Sequence, residues 1–157
     1  MLSRLGWPET LQHGDLWITN LLVARTESTW VVRLIDWDYS GIGIPIYDLS
    51  RFLRQFPASD RPWILDAYRN RVESEGWGWP GEAALNDAAE TCELGRYANS
   101  IVWRTLSALQ LHYEATPGHS FVPPQWIFDD LLEIEQWFRD LTPLLPTPEE
   151  TSSGAAA

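Results

Sequence analysis

Residues 11–40 of the chain read LQHGDLWITNLLVARTESTWVVRLIDWDYS. Two runs in this stretch, 21–24 and 31–35, are rich in Leu, Val and Ile, and the polar residues 25–30 separate them. Short apolar runs of this kind on either side of a polar loop are typical of paired strands. The pattern therefore predicts an antiparallel β hairpin, entered through the polar segment that begins at His13.

The register of this hairpin determines which polar residues meet. If Ala24 pairs with Val31, counting back along both strands places Asn20 opposite Ile35. Directly opposed residues have Cβ atoms roughly 5 Å apart. Asn20 and Asp36 should therefore lie together at the open end of the hairpin. An amide oxygen and a carboxylate suit a hard cation such as Mg²⁺, so we predict that this pair binds a metal ion.

Asp15 lies upstream of this pair, in the loop that enters the hairpin. An aspartate followed after four residues by an asparagine, here Asn20, has the spacing of a kinase catalytic loop. Phosphoryl transfer needs alignment and charge neutralisation more than covalent help from the protein. Asp15 is thus a candidate for orienting an attacking hydroxyl and accepting its proton, while the metal ion holds the phosphates.

The rest of the sequence has helical spacing. It predicts helices over 47–56, over 62–75 with Asp60 as the N-cap, over 82–114, and around Ile127 to Leu141. The predicted fold class is mainly α with a small β hairpin (α+β), with a helical bundle over 45–142. Residues 143–157, which end in TSSGAAA, are predicted to be a disordered tail.

Composition excludes several classes of protein. The formal net charge is -11 and no lysine occurs, which argues against nucleic acid or an anionic membrane as partner and suits a cationic substrate. The single cysteine excludes an internal disulfide. No apolar run has the length of a signal peptide or a membrane span, so we expect a cytoplasmic protein.

Three blocks of sequence together resemble the signature of aminoglycoside phosphotransferases and choline-kinase-like enzymes. They are LQHGDxxxxN at 11–20, IDWD at 35–38 and GxPxxDL at 43–49. The resemblance implies the C-terminal lobe of a protein-kinase-like phosphotransferase. It also implies transfer of the ATP γ-phosphate, with Mg²⁺, to a hydroxyl of a small molecule of the aminoglycoside or choline type.

The resemblance also implies a role for each residue of the motif. Asp15 would be the catalytic aspartate, and Asn20 and Asp36 would be the Mg²⁺ ligands. His13 would orient the loop, and Asp48 would hold the loop from the helix that follows. Two departures bear on loop details only: residues 17–19 are Trp-Ile-Thr where the family often has His-Pro-Gly, and residue 38 is aspartate where glutamate is frequent.

Kinases of this type also have an N-terminal lobe with a phosphate-covering loop and a phosphate-gripping lysine. The catalytic loop here starts at residue 13 and the chain has no lysine. We therefore expect residues 1–142 to form the C-terminal lobe alone, with the N-terminal lobe absent and activity weak or lost. Residues 76–81 spell GxGxxG but follow a charged helical segment, which predicts a turn between helices and not a phosphate loop.

Three functions remain open from the sequence. The chain is a piece of a longer kinase, a non-catalytic binding or regulatory module derived from one, or a metal-dependent hydrolase that reuses the acidic residues. The intact set of Asp15, Asn20 and Asp36 favours the first. Loss of a lobe would expose an apolar surface, so self-association or a separate N-terminal lobe is the expected macromolecular partner.

Overall fold

The structure, a computed structural model, describes residues 6–114 and 122–145 of the chain. These residues form four short strands and four helices, with the strands in the first part of the sequence. The expectation of a mainly helical protein with a small antiparallel element is confirmed. Within the described ranges, no helix has both the length and the apolar composition needed to cross a bilayer.

The predicted hairpin forms from strands β2 (Leu21–Arg25) and β3 (Trp30–Leu34). Its register pairs Ala24 with Val31, as predicted from the sequence. The backbone N–H of Ile35 donates to the Asn20 carbonyl at 3.0 Å, which continues the pairing by one residue beyond the strands. The register prediction is therefore confirmed.

A second antiparallel sheet pairs β1 (Thr10–Gln12) with β4 (Gly41–Gly43). The sequence predicted no strand in either segment, because three residues are too few to show alternation and paired glycines favour turns. A Cβ atom on Gly43 would lie 2.6 Å from the side-chain oxygen of Gln12. The Gln12 amide also donates to the carbonyl of Ile44. This second sheet pairs the segment that precedes the loop and the hairpin with the segment that follows them.

The helices are α1 (Ile46–Leu53), α2 (Arg61–Ser74), α3 (Glu82–Glu114) and α4 (Gln125–Arg139). All four were predicted, with the third at its observed bounds and the others shifted by a few residues. Asp60 is at the N-cap position of α2 but makes no capping side-chain bond; its carboxylate instead accepts a bond from the Ser59 hydroxyl. The GxGxxG segment follows α2 as a connection between helices.

The chain divides into two compact units, Met1–Cys92 with Pro143–Ala157, and Glu93–Thr142. The prediction of a single bundle over 45–142 did not include this division, and the assignment of residues 1–142 to one lobe stays a prediction. In the first unit, helix α1 buries the side chains of Ile46, Leu49 and Leu53 in the core. Each fully buried side chain of this size contributes roughly 1.5–3 kcal/mol, so α1 is firmly anchored.

Two residues of the predicted tail belong to the core of the first unit. Leu144 is 0% exposed and Leu145 is 5% exposed. The backbone N–H of Leu145 donates to the Asn86 side chain at 2.9 Å, and Arg61 donates to the Leu144 carbonyl at 3.2 Å. The boundary predicted at residue 143 is therefore wrong for these residues, because a Pro-Leu-Leu-Pro stretch has no periodicity that reveals burial. Residues 146–157 lie outside the described part of the chain.

The second unit has its own small core around Tyr97, Ile127 and Ile134, which are all buried. The Tyr97 ring packs edge-on against Phe138 with centroids 5.2 Å apart. A buried ion pair joins Glu93 to Arg96 at 2.7 Å, one turn apart on α3.

Candidate functional site

The loop at His13–Gly14 is held by the carboxylate of Asp48, in the first turn of α1. Its two oxygens accept the backbone N–H groups of His13 at 2.6 Å and Gly14 at 2.9 Å. Bonds of this kind to a charged acceptor are roughly twice as strong as neutral ones. The expected role of Asp48, holding the loop from the following helix, is confirmed.

Gly14 has a conformation and surroundings that only glycine accepts. Its φ is +84°, in the left-handed region. A Cβ atom at this position would lie 2.0 Å from the carbonyl oxygen of Tyr39. The loop therefore packs directly on the backbone of the segment that follows Asp36 and Asp38.

His13 is buried, with 2% of its surface exposed, and contacts residues next to Asp36. Its Nε2 is 2.8 Å from the carbonyl of Ile35, so that nitrogen carries the proton and donates it. Its ring packs against Trp37 with centroids 4.7 Å apart. His13 thus contacts the residues on both sides of Asp36.

Asn20 ends a single 3-10 turn, Ile18–Asn20, that leads into β2. Its side-chain N–H donates to the Asp15 carbonyl at 3.0 Å, and the Trp17 N–H donates to the same carbonyl at 2.9 Å. The Asn20 backbone N–H donates to the Trp17 carbonyl at 2.9 Å. The amide nitrogen of Asn20 is thus committed to Asp15, and its side-chain oxygen accepts no hydrogen bond from the described residues.

Asp36 follows the hairpin with φ at +64°, the one described residue other than glycine with a positive φ. Aspartate tolerates this region better than most residues, but it still costs free energy. Strained residues of this kind occur preferentially at functional sites. The hydrogen bond from Ile35 N–H to the Asn20 carbonyl places Asp36 directly after the residue opposite Asn20.

The carboxylates of Asp15 and Asp36 accept no hydrogen bond and form no ion pair within residues 6–114 and 122–145. Asp15 is half-buried and Asp36 is exposed. Two unpaired carboxylates and an amide oxygen from one loop and one hairpin are the donor types that Mg²⁺ prefers.

No group of three or more His, Cys, Asp or Glu in the described ranges is placed to enclose a metal ion.

Two cavities lie within the first unit. One, of about 510 Å³, is lined by residues from α2, the start of α3 and Leu145. The other, of about 320 Å³, is lined by residues of β1, α1 and α2 together with Leu16 and Pro45. Neither is lined by Asp15, Asn20 or Asp36.

A model of the phosphotransferase enzyme family, abbreviated APH, matches residues 2–85, just over half of the chain. The matched region includes the loop, the hairpin and helices α1 and α2. The chain belongs to this phosphotransferase family. The resemblance that the three motif blocks suggested is thereby confirmed.

One solved structure similar to this APH-family chain is the crystal structure of a choline/ethanolamine kinase family protein from Mesorhizobium loti, at 18% sequence identity and a TM-score of 0.45. The match covers 96% of this chain and 44% of that one. This chain therefore spans less than half the length of the protein it matches. No curated protein matches the chain.

Two residues near the site were missed by the sequence reasoning. Gln55, just past the end of α1, bonds the backbone of Leu16 and Ile18. The guanidinium of Arg51 lies 3.8 Å from the ring centre of Trp17. Both residues lie beyond the third motif block, which ends at Leu49. The one indication in the sequence is that Arg51 and Gln55 follow Asp48 at helical spacing, which places all three on the same side of the helix.

Proposed function

We propose that this chain carries the metal-binding and hydroxyl-orienting part of an ATP-dependent phosphotransferase, equivalent to a kinase C-terminal lobe. Asn20 and Asp36 are the proposed Mg²⁺ ligands, and Asp15 is the proposed catalytic aspartate. The proposal rests on the hydrogen bond from the Ile35 N–H to the Asn20 carbonyl, at 3.0 Å. This bond places Asn20 opposite the residue that directly precedes Asp36.

In this proposal the bound Mg²⁺ would hold the ATP phosphates and neutralise charge that develops on them. The chain's own residues do the positioning. Asp15 presents an unpaired carboxylate that orients a substrate hydroxyl and accepts its proton. Asn20 provides an oxygen ligand and, through its amide nitrogen, fixes the carbonyl of Asp15.

His13 is proposed to orient the site and not to touch the substrate, because its side chain is 2% exposed. Its bond to the Ile35 carbonyl and its contact with Trp37 hold the backbone on both sides of Asp36. This supports the orienting role implied by the resemblance.

The substrate proposed is a small-molecule alcohol, which the family membership supports as a class. The net charge of -11 favours a cationic alcohol. Because the sequence contains no lysine, a phosphate-gripping lysine would have to come from another polypeptide segment. We therefore propose weak transfer, or none, by this chain alone.

A second candidate is a non-catalytic module that binds metal and nucleotide without transferring phosphate. The absence of lysine favours it, and intact Asp15 opposes it, because a module without catalysis has no need for an unpaired carboxylate there. Phosphorylation of a panel of small alcohols by the chain, supplemented with a nucleotide-binding lobe in trans, separates the two. Transfer that Asp15→Ala abolishes would exclude the non-catalytic candidate.

The metal site can be tested directly with Mn²⁺, a paramagnetic substitute for Mg²⁺. In ¹⁵N-labelled protein at low Mn²⁺, we expect the amide signals of Asn20, Asp36 and Trp37 to broaden first. The acidic surface of α4, with Asp129 and Glu133, serves as the internal comparison for non-specific binding. Broadening confined to α4 would contradict the proposed metal site.

A further inference from the structure

The loop that carries Asp15 and Asn20 is contacted by three side chains from α1 and the turn after it. These are Asp48, Arg51 and Gln55, spaced by three and four residues, so they lie on one helical face. Asp48 holds the start of the loop at His13 and Gly14. The other two contact its middle, four residues further on.

Gln55 connects two peptide groups of the loop with one side chain. Its oxygen accepts the N–H of Ile18 at 2.6 Å. Its amide nitrogen donates to the carbonyl of Leu16 at 3.0 Å and to the carbonyl of Arg51 at 3.0 Å. A primary amide is the side-chain group that supplies a donor and an acceptor side by side, whereas an ionised carboxylate supplies acceptors only.

The residue between those two peptide groups, Trp17, links Asp15 to Asn20. Its N–H donates to the Asp15 carbonyl and its own carbonyl accepts the N–H of Asn20, both at 2.9 Å. The ring of Trp17 lies against the guanidinium of Arg51 at 3.8 Å, within cation-π distance. The geometry of the Asp15–Asn20 turn therefore depends on where Gln55 and Arg51 hold its middle.

We propose that Gln55 is a positioning residue that fixes the turn between Asp15 and Asn20 and so sets the affinity of the metal site. The predicted effect on metal affinity rests on the metal site of the proposed function. Gln55 forms no hydrogen bond with Asp15 or Asn20, and acts through the backbone of Leu16 and Ile18. Side chains that orient metal ligands from outside typically contribute 10- to 100-fold in metal affinity.

The test compares the intact chain with Gln55→Met, which retains side-chain length but removes all three hydrogen bonds of the Gln55 side chain. Gln136→Met is the matched control, because the Gln136 amide bonds only its helix neighbour Asp140 among the described residues. Gln55→Glu is a second variant that retains an acceptor for Ile18 but turns its other carboxylate oxygen toward the carbonyls of Leu16 and Arg51. The readouts are amide hydrogen exchange by NMR and Mn²⁺ affinity by EPR of the free ion.

We expect Gln55→Met to accelerate exchange at the N–H groups of Trp17 and Asn20 by about tenfold or more. Neither group bonds Gln55, so a merely local loss of contact would leave both unchanged. Mn²⁺ affinity should fall by about tenfold, while exchange in α2 and α3 stays as in the parent chain. Gln55→Glu should change exchange and Mn²⁺ affinity in the same direction, and Gln136→Met should change neither.

Unchanged exchange at Trp17 and Asn20 in both Gln55 variants would overturn the positioning role. If Gln55→Met does not fold, hydrogen exchange at the Trp17 and Asn20 amides of Gln55→Glu provides the test. A parent chain that takes up no Mn²⁺, but shows faster exchange at these amides in the variants, would support the positioning role and contradict the metal site of the proposed function. The two failures are thus distinguishable.

Discussion

The backbone N–H of Ile35 donates to the carbonyl of Asn20 at 3.0 Å, and this one contact joins the loop to the residue that precedes Asp36. Because Asp36 follows Ile35 directly, the two proposed metal ligands come from segments distant in sequence but adjacent across the hairpin. The contact follows from the strand register, which pairs Ala24 with Val31.

Asp48→Asn should destabilise the fold. In the parent chain each carboxylate oxygen accepts one backbone N–H group, from His13 or from Gly14. The replacement leaves one oxygen to accept from one of them and places an NH₂ donor against the second N–H group. We expect the free energy of unfolding to fall by about 2–3 kcal/mol, since hydrogen bonds to charged groups contribute about this much. Urea unfolding measures it. Asp66→Asn, at an exposed position of α2, is the control and should change little; equal losses in both variants would refute the role given to Asp48.

Gly14→Ala should cost far more than Gly76→Ala. Both glycines have φ at +84°, so the backbone penalty for an added Cβ is the same. At Gly14 that Cβ would lie 2.0 Å from the Tyr39 carbonyl oxygen, whereas at Gly76 nothing lies within 4 Å. We expect Gly76→Ala to cost about 1–2 kcal/mol and Gly14→Ala about 1–3 kcal/mol more. Equal thermal shifts in the two variants would contradict the close packing at Gly14.

The hairpin was predicted from two short apolar runs around a polar loop, its register from an Ala24–Val31 pair, and the four helices from their helical spacing. The sequence did not predict the sheet between β1 and β4, whose strands are three residues long. Burial of Leu144 and Leu145 was also missed, since their partners Arg61 and Asn86 are distant in sequence. Elements that depend on such long-range contacts leave no local signal.

At the site, counting along the predicted hairpin placed Asn20 opposite Ile35. Asn20 and Ile35 are opposed as the register required. The sequence could not predict the contacts of Gln55 or the positive φ of Asp36, because both depend on how the loop packs against α1 and Trp37. The assignment of catalytic and metal-binding roles stays a prediction.

Asp36→Gly should separate stability from metal binding. Glycine adopts φ of +64° without strain, although it gains more conformational freedom in the unfolded chain. We expect the free energy of unfolding to stay the same or rise by up to about 1 kcal/mol, while Mn²⁺ uptake is lost with the carboxylate. Calorimetric unfolding and EPR on the same sample check both. A variant that still takes up Mn²⁺ would remove Asp36 from the proposed site.

Tyr68 should make the fold sensitive to high pH. Burial, and secondly the nearby Asp48, raise its pKa above the ordinary value of 10.0. The folded state therefore binds the Tyr68 proton more tightly than the unfolded chain does. This contribution to the free energy of unfolding is fully present below about pH 10 and is lost as the pH rises through the folded pKa. Tyr68→Phe should reduce the loss of stability measured by urea unfolding between about pH 8 and about pH 11.

The control for this experiment is Tyr113→Phe, at a side chain that is 90% exposed. Removing that phenol should leave the loss of stability at high pH as it is in the parent chain. A loss of equal size in the parent chain and in Tyr68→Phe would show that Tyr68 does not contribute to it.

In the proposed function, Asn20 and Asp36 form a metal site for ATP phosphates. Calorimetric titration of the intact chain with ATP, with and without Mg²⁺, tests it most directly, with Asp36→Asn beside it and far-UV circular dichroism confirming that both are folded. We predict ATP binding that requires Mg²⁺ and is lost in Asp36→Asn. Binding that is the same in Asp36→Asn, or no binding by the folded parent chain, would exclude this metal site.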